Sequence, residues 1–323
     1  MIRAAIYLTV FLVSATNVSA ASKRVALLLK APNNPFYDSI LHGAQEKASE
    51  FGYEVKPFFG SDEDDWASQS ELLKSKANDF DAFILVPTRS DVFSSAIKNL
   101  KEKNKPVVIV DTPLSEGSEH ALTTVSSDNR RGGRLAGLFI VNQLSVEPAG
   151  ENCLVLLSGN PKAKTHQDRN AGFLEIVKER RPDIKIYAYD AFSSFQKARE
   201  ITEKNIMQIQ KCYGIFAGSD TMILGMLDYF EAHNLREPPV AIGYDSLIEI
   251  QQKILESKVM GSIQQSPGEM GRSAIVSLQK YFNGQRVEPN QIIEPKLTVR
   301  KFQLDSLTEK ELEIVSPAAA KKM

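Results

Sequence analysis

The sequence predicts an α/β fold of two doubly wound, Rossmann-like lobes with a ligand cleft between them. Short apolar runs alternate with amphipathic stretches from Arg24 to Val299. The alternation falls into two successive series, separated at Pro148-Ala149-Gly150. Charged residues such as Lys30, Asp111 and Asp245 stand directly after apolar runs, at the strand edge where open α/β sheets bind ligands.

The first run, Val25 to Leu29, is too short for a helix and is bounded by a loop, which suits a buried parallel strand. Lys30 follows at once, then Ala31-Pro32-Asn33-Asn34-Pro35, where two prolines end either regular structure. Phe36 and Tyr37 open a helix running to about Phe51, with Ile40, Leu41 and Ala44 at helical spacing. An ammonium (Lys30), a carboxamide (Asn34) and an aromatic pair are thereby aimed at one spot. Strand 53–59 follows, then a helix over 65–78, strand 83–86, a helix near 92–101 and strand 107–110. Asp62-Glu63-Asp64-Asp65 suits a helix N-terminus, where the dipole favours negative charge. It lacks the alternating ligands and glycine of a calcium loop, so no metal site is assigned. Asp111 and Thr112 end strand 107–110, on the same edge as Lys30. A carboxylate there can accept two hydroxyls in strong charge-assisted bonds. Strand 122–125 leads to Ser126-Ser127-Asp128-Asn129, which caps a helix to about Leu144. Arg130, Arg131 and Arg134 form that helix's solvated face.

The second series has strands at 154–157, 185–188, 214–217, 240–242 and 260–263. Its helices span about 168–180, 195–209, 222–233 and 247–257. Gln264-Gln265-Ser266-Pro267 then returns the chain into a helix over 268–283. Of the four histidines, only His166 lies near a proposed site loop, and the expectation is a solvated loop residue. Cys153 and Cys212 each precede a strand end by five residues. In a doubly wound lobe the first and third strands are neighbours, so the sulfurs stand about level, away from the ligand edge. Strands about 4.8 Å apart fall within disulfide range. Two buried thiols remain the alternative.

The pattern Lys30-x-x-x-Asn34-Pro35-Phe36-Tyr37 resembles the first loop of the periplasmic sugar-binding proteins that include those for ribose, allose and arabinose. Five further stretches agree: Ser126–Asn129, HQDRNAGF around Arg169, FAGSDTMILG around Ser219, AIGYD at Asp245 and SIQQSP around Gln265. The resemblance implies a type I periplasmic binding fold, with lobe one at 24–126 and 265–294 and lobe two at 127–264 and 295–299. A tail follows at 300–323, and its Ala318-to-Lys322 end is expected to be disordered. The resemblance assigns Lys30, Asn34, Phe36, Tyr37, Asp111, Arg169, Ser219, Asp245 and Gln265 to ligand binding. Phe192 is the candidate for an aromatic from lobe two, and Asp220 is expected to cap the following helix. Ribose-type members carry Arg after the first acid. Thr112 departs from that, and any hydroxyl such an Arg would hold is bound otherwise or absent.

The implied function is capture of a small neutral pentose or hexose by lobe closure, with delivery to an ABC permease and no cofactor. A membrane sensor, chemoreceptor or histidine kinase, is the alternative partner. A sugar hydrolase or isomerase using the same cleft is the alternative of another class. Catalytic signatures for nucleophile elbows, zinc helices, P-loops and dinucleotide turns do not occur. A net charge of −1 over 323 residues argues against nucleic acid as a partner. The protein is expected to be a monomer. Arg3, the apolar run Ala4 to Val13 and Val18-Ser19-Ala20 make a secretory signal peptide at 1–20, cleaved after Ala20. The run is well short of the roughly twenty residues a membrane-spanning helix needs. N-terminal sequencing of protein from an osmotic-shock fraction should begin at Ala21. Retention of Met1 in a membrane pellet would contradict export to the periplasm.

Overall fold

The structure, a computed structural model, describes residues 22–144, 151–236 and 240–300 and the strand 312–315. The signal peptide, the break at 148–150 and the end at 318–322 lie outside the described residues. The first series folds as β1 (Arg24–Leu29), α1 (Pro35–Glu50), β2 (Glu54–Phe59), α2 (Trp66–Ser75), β3 (Ala82–Leu85), α3 (Ser94–Glu102), β4 (Val107–Val110) and β5 (Thr123–Ser127). The second gives α4 (Asn129–Gln143), β6 (Glu151–Ser158), α5 (Lys164–Arg180), β7 (Lys185–Asp190), α6 (Phe195–Ile209), β8 (Cys212–Ala217), α7 (Asp220–Ala232), β9 (Val240–Asp245), α8 (Ile248–Leu255) and β10 (Gly261–Gln264). The chain closes with α9 (Pro267–Phe282), β11 (Asn290–Ile293), β12 (Lys296–Arg300) and β13 (Leu312–Val315).

Two sheets result, in the orders β11-β5-β4-β3-β1-β2 and β13-β12-β10-β9-β8-β6-β7. The first is parallel throughout, and in the second only the β10–β12 pairing is antiparallel. A parallel strand is covered on both faces, which is why β1 needs an unbroken apolar run. Val25, Leu27 and Leu29 face α1 and α9, while Ala26 and Leu28 pack with Leu73 and Ile97 on the other side. The chain passes between the sheets after β5, after β10 and after β11.

Each passage delivers an element to the opposite half. Helix α4 docks on α5, where a Cβ at Gly133 would meet the Arg169 carbonyl at 2.1 Å and one at Gly172 the Arg130 carbonyl at 2.0 Å. Helix α9 docks on α1 in the same way: a Cβ at Gly43 would meet the Gly268 carbonyl at 2.2 Å and one at Gly271 the Ile40 carbonyl at 2.1 Å. Only glycine permits backbones this close.

Two stretches differ from the sequence expectation. Residues 290–293, assigned no element from the sequence, pair parallel with Thr124–Ser127 as an edge strand. Four residues with one half-buried face, and Ile292 55 % exposed, carry too little apolar signal to be read as a strand. The tail also contributes a strand, β13, which pairs with β12 and extends the second sheet.

Cys153 and Cys212 are bonded, with Cα atoms 4.7 Å apart. The strands run one residue from the register their matched offsets imply, with Leu157 opposite Ala217, and a bulge between Glu151 and Leu154 shifts it by one more, so that Glu151 pairs with Cys212. Asp220 does not cap its helix as expected, because Ser219 holds that position. Its fully buried carboxyl instead accepts from the Leu247 N–H at 2.8 Å and from Ser262 Oγ at 2.7 Å, tying the ends of β8, β9 and β10 together.

Two predictions follow from these ties. Replacing both cysteines with serine should lower stability by about 2–4 kcal/mol in urea melts and leave ligand affinity unchanged, since the bond lies at the opposite strand ends. Thiol titration of the denatured, unreduced protein should find no free thiol. Burial pushes the Asp220 carboxyl up to about 7, against the bonds from Ser262 and Leu247. The folded state therefore holds this proton more tightly than the unfolded chain, whose carboxyl titrates near 4. The resulting stability is full below about pH 4 and declines as pH rises to about 7. Glu231, held down to about 2 by Lys253 and Lys258, titrates below that window. Asp220→Asn should lessen the slope of stability between those limits, Asp245, which burial also raises, keeping part of it, and an unchanged slope would count against this account.

Candidate ligand site

The carboxyl ends of both sheets face one another, and the lobes touch there. The Ser90 N–H donates to the Lys162 carbonyl at 3.0 Å, the Lys164 N–H to Ser90 Oγ at 2.9 Å, and Asn160 Nδ2 to Asp64 Oδ1 at 2.8 Å. Beneath these contacts lies a small cavity. Its lining includes all nine residues selected from the sequence: Lys30, Asn34, Phe36, Tyr37, Asp111, Arg169, Ser219, Asp245 and Gln265. Thr165, His166 and Ser193 complete it.

On the first side, Asn34 caps α1: its Oδ1 accepts from the Phe36 N–H at 3.1 Å, and Pro35 takes the first helical position, where a missing N–H is harmless. The cap fixes the direction of Phe36 and Tyr37, whose rings meet edge to face at 5.6 Å. Glu63 braces them, accepting from Tyr37 Oη at 2.6 Å and from Asn34 Nδ2 at 3.2 Å. Asn34 thus spends both ends of its amide on positioning. Lys30 Nζ donates to Asp111 Oδ2 at 3.0 Å and to Thr112 Oγ1 at 2.8 Å, and Thr112 passes a bond on to Asp111 Oδ2. The Lys30 ammonium, directly after β1, thus stands as a cation beside the acid. Burial raises the Asp111 pKa, but Lys30 and Arg169 outweigh it and hold the carboxyl below its usual range.

On the second side, Arg169 lies within α5, which begins at Lys164, four residues before the predicted start. Its Nε donates to Asn129 Oδ1 at 2.8 Å and its Nη1 to the Gly218 carbonyl at 2.7 Å. The guanidinium stacks 3.9 Å from the Tyr244 ring centroid and lies 3.9 Å from Asp245 Oδ1. Gln265 Nε2 donates to Asp245 Oδ1 at 2.6 Å. Burial pushes the Asp245 carboxyl well above its usual value; Arg169 opposes this and Asp220 adds to it.

Five buried polar atoms on lining residues have no partner within the protein: Asp111 Oδ1, Thr165 Oγ1, His166 Nδ1, Ser219 Oγ and Gln265 Oε1. Buried polar groups are normally paired, and leaving one unpaired costs about 1–3 kcal/mol. The backbone is strained here as well. Asp111 (φ 65°), Asp245 (φ 117°), Ser246 (φ 57°) and Ser266 (φ 56°) all take the left-handed region, which L-residues rarely enter. Asp111 and Asp245 stand at strand ends and line the cavity, whereas Ser246 Oγ donates to Thr298 Oγ1 at 2.8 Å and Ser266 lies outside the lining.

Two expectations are corrected. His166 is buried in the first turn of α5, with Nε2 3.0 Å from Ser193 Oγ, rather than solvated in a loop. Burial, with Arg169 and Lys30 nearby, holds its imidazole well below its usual pKa and therefore neutral. Phe192 does not reach the cavity. With φ of 54° at both Phe192 and Ser193, the turn sends Ser193 inward and leaves Phe192 on an outer groove under Lys197 Nζ, 4.2 Å from its ring centroid. Thr165, Ser193 and Glu63 carry no motif that marks them in sequence.

Comparison with known proteins matches residues 25–286 to the periplasmic binding protein domain. The ribose import binding protein of Escherichia coli is 25 % identical over 305 residues, covering 90 % of this chain and 97 % of that one. A D-apiose import binding protein of Actinobacillus succinogenes is 26 % identical over 274 residues, covering 84 % and 85 %. Among solved structures, a carbohydrate transporter solute-binding protein of Agrobacterium radiobacter in complex with D-arabinose superposes with TM-score 0.80 at 22 % identity, over 91 % of this chain and 100 % of that one. A periplasmic solute-binding protein of an ABC transporter from Actinobacillus succinogenes with bound D-allose gives 0.78 at 25 % identity, over 87 % and 99 %. With most of its length matched by the family model and both sheets wound as in these structures, the chain belongs to the periplasmic binding protein domain family.

Proposed function

We propose that this protein captures a small neutral sugar, a pentose or hexose, between its lobes in the periplasm and delivers it to an ABC permease. The observation that carries this reading is the closed cavity with an aromatic wall and five unpartnered polar atoms. A sugar offers several hydroxyls, each both donor and acceptor, together with an apolar C–H face for Phe36 and Tyr37. Asp111 Oδ1 and Gln265 Oε1 accept from hydroxyls, Arg169 donates, and Ser219 does either. The relatives named for import of ribose and apiose, and the neighbours holding arabinose and allose, support the same class. They are binding proteins of transport systems, which favours capture over hydrolysis or isomerisation.

Capture works by population shift. A ligand bridging lobe one (24–126, 265–294) and lobe two (127–264, 295–299) makes all its bonds only when the lobes are shut, so it favours the shut state. The permease then reads lobe faces that closure has brought together. The protein acts as a monomer, exported by the segment at 1–20.

A matching sugar at a hundredfold over its dissociation constant should stabilise the fold by about 2.7 kcal/mol. That corresponds to a thermal shift of several degrees, on the order of 2–4 °C per kcal/mol. Asp245→Ala and Asp111→Ala should each abolish the shift. A panel of pentoses, hexoses and polyols that gives no shift, or variants that bind as the unaltered protein does, would overturn the reading.

A further inference from the structure

The two walls of the cavity differ in kind. Lobe one brings Phe36 and Tyr37, while lobe two brings Thr165, His166, Ser193 and Ser219 beside the Arg169–Asp245 pair. Among the described residues, the aromatic hydrocarbon faces of the lining therefore lie on one side. His166 is 6 % exposed, its Nε2 is engaged by Ser193 Oγ, and its Nδ1 has no protein partner. A serine hydroxyl can donate or accept, so Nδ1 can present either an N–H or a lone pair. The ring sits close over Gly159, where a Cβ would come within 2.2 Å of it, so it has little freedom to turn away. A sugar ring lying on Phe36 and Tyr37 turns its other face toward these groups. If that face carried only C–H, His166 Nδ1 and Thr165 Oγ1 would stay buried and unpaired.

We propose that the ligand is a sugar whose ring is apolar on one face and carries, at a carbon other than the anomeric one, an axial hydroxyl on the other, and that His166, held by Ser193, reads that hydroxyl. This rests on the sugar reading above and narrows it. Apart from the freely interconverting anomeric centre, D-xylopyranose and D-glucopyranose hold every hydroxyl equatorial, and their β anomers show C–H on both faces. The pyranose forms of D-ribose, D-arabinose, D-allose and D-galactose each carry an axial hydroxyl. The site selects among the second group.

Isothermal titration of the purified protein with these six sugars tests the proposal. At least one axial sugar should bind about tenfold or more tighter than D-xylose and D-glucose, a preference of about 1.4 kcal/mol. His166→Ala should weaken that sugar by about tenfold and erase the preference. His166→Asn, which keeps an amide near the Nδ1 position, should restore most of it. Ser193→Ala should give a partial loss, and it carries the test alone if His166→Ala does not fold. Tightest binding of D-xylose or D-glucose, or a preference that survives in both His166→Ala and Ser193→Ala, would overturn the role of His166 while leaving sugar capture intact. If none of the six sugars binds the unaltered protein, the sugar reading falls, and this inference falls with it.

Discussion

Burying two cations, Lys30 and Arg169, in one small cavity costs several kcal/mol each unless oxygen atoms surround them. Much of the site's architecture answers that requirement. Lys30 is met by Asp111 and Thr112, and Arg169 by Asn129, the Gly218 carbonyl and the face of Tyr244. These partners come from strand ends β4 and β8 and from the crossing after β5, so satisfying the charges fixes where those loops run. What remains unpaired is a set of oxygens and one imidazole nitrogen, which a polyhydroxylated guest can complete.

The same requirement explains where strain collects. Asp111 and Asp245 take left-handed backbone angles because a side chain at a strand's end would otherwise follow the pleat into a sheet face. Turning it along the strand axis points it into the cleft. The glycine seams between α4 and α5, and between α1 and α9, act from behind. They hold Arg169 and the Asn34 cap on rigid elements, so the groups that meet the guest need little ordering on binding.

Most of this is legible in the sequence because a buried parallel strand followed by a polar residue leaves few places for that residue to go. Lys30, Asp111 and Asp245 are readable on that ground alone, and Arg169 and Gln265 through motif resemblance. The failures are local. Phe192 and Ser193 are adjacent, and which of them enters the cavity depends on two backbone angles that composition does not encode. His166 reads as a loop residue because α5 starts one turn earlier than its apolar pattern suggests. Edge strands such as β11 have one half-buried face and too few residues to reveal a period.

The interleaving of the two halves sets an order of assembly. Met270, Ala274, Ile275 and Leu278 on α9 are fully buried against Val25, Leu27 and Leu29 of β1. All of β6 to β10 lies between them in the chain. As the polypeptide is made, the first sheet therefore waits with one apolar face only partly covered, by α1 alone, until the whole second series has followed. Contacts of such separation are slow to form, and an exposed apolar face is open to wrong partners while it waits. The half synthesised first is finished only when α9 and β11 have followed the second series, and that interval is when the chain most needs protection from aggregation.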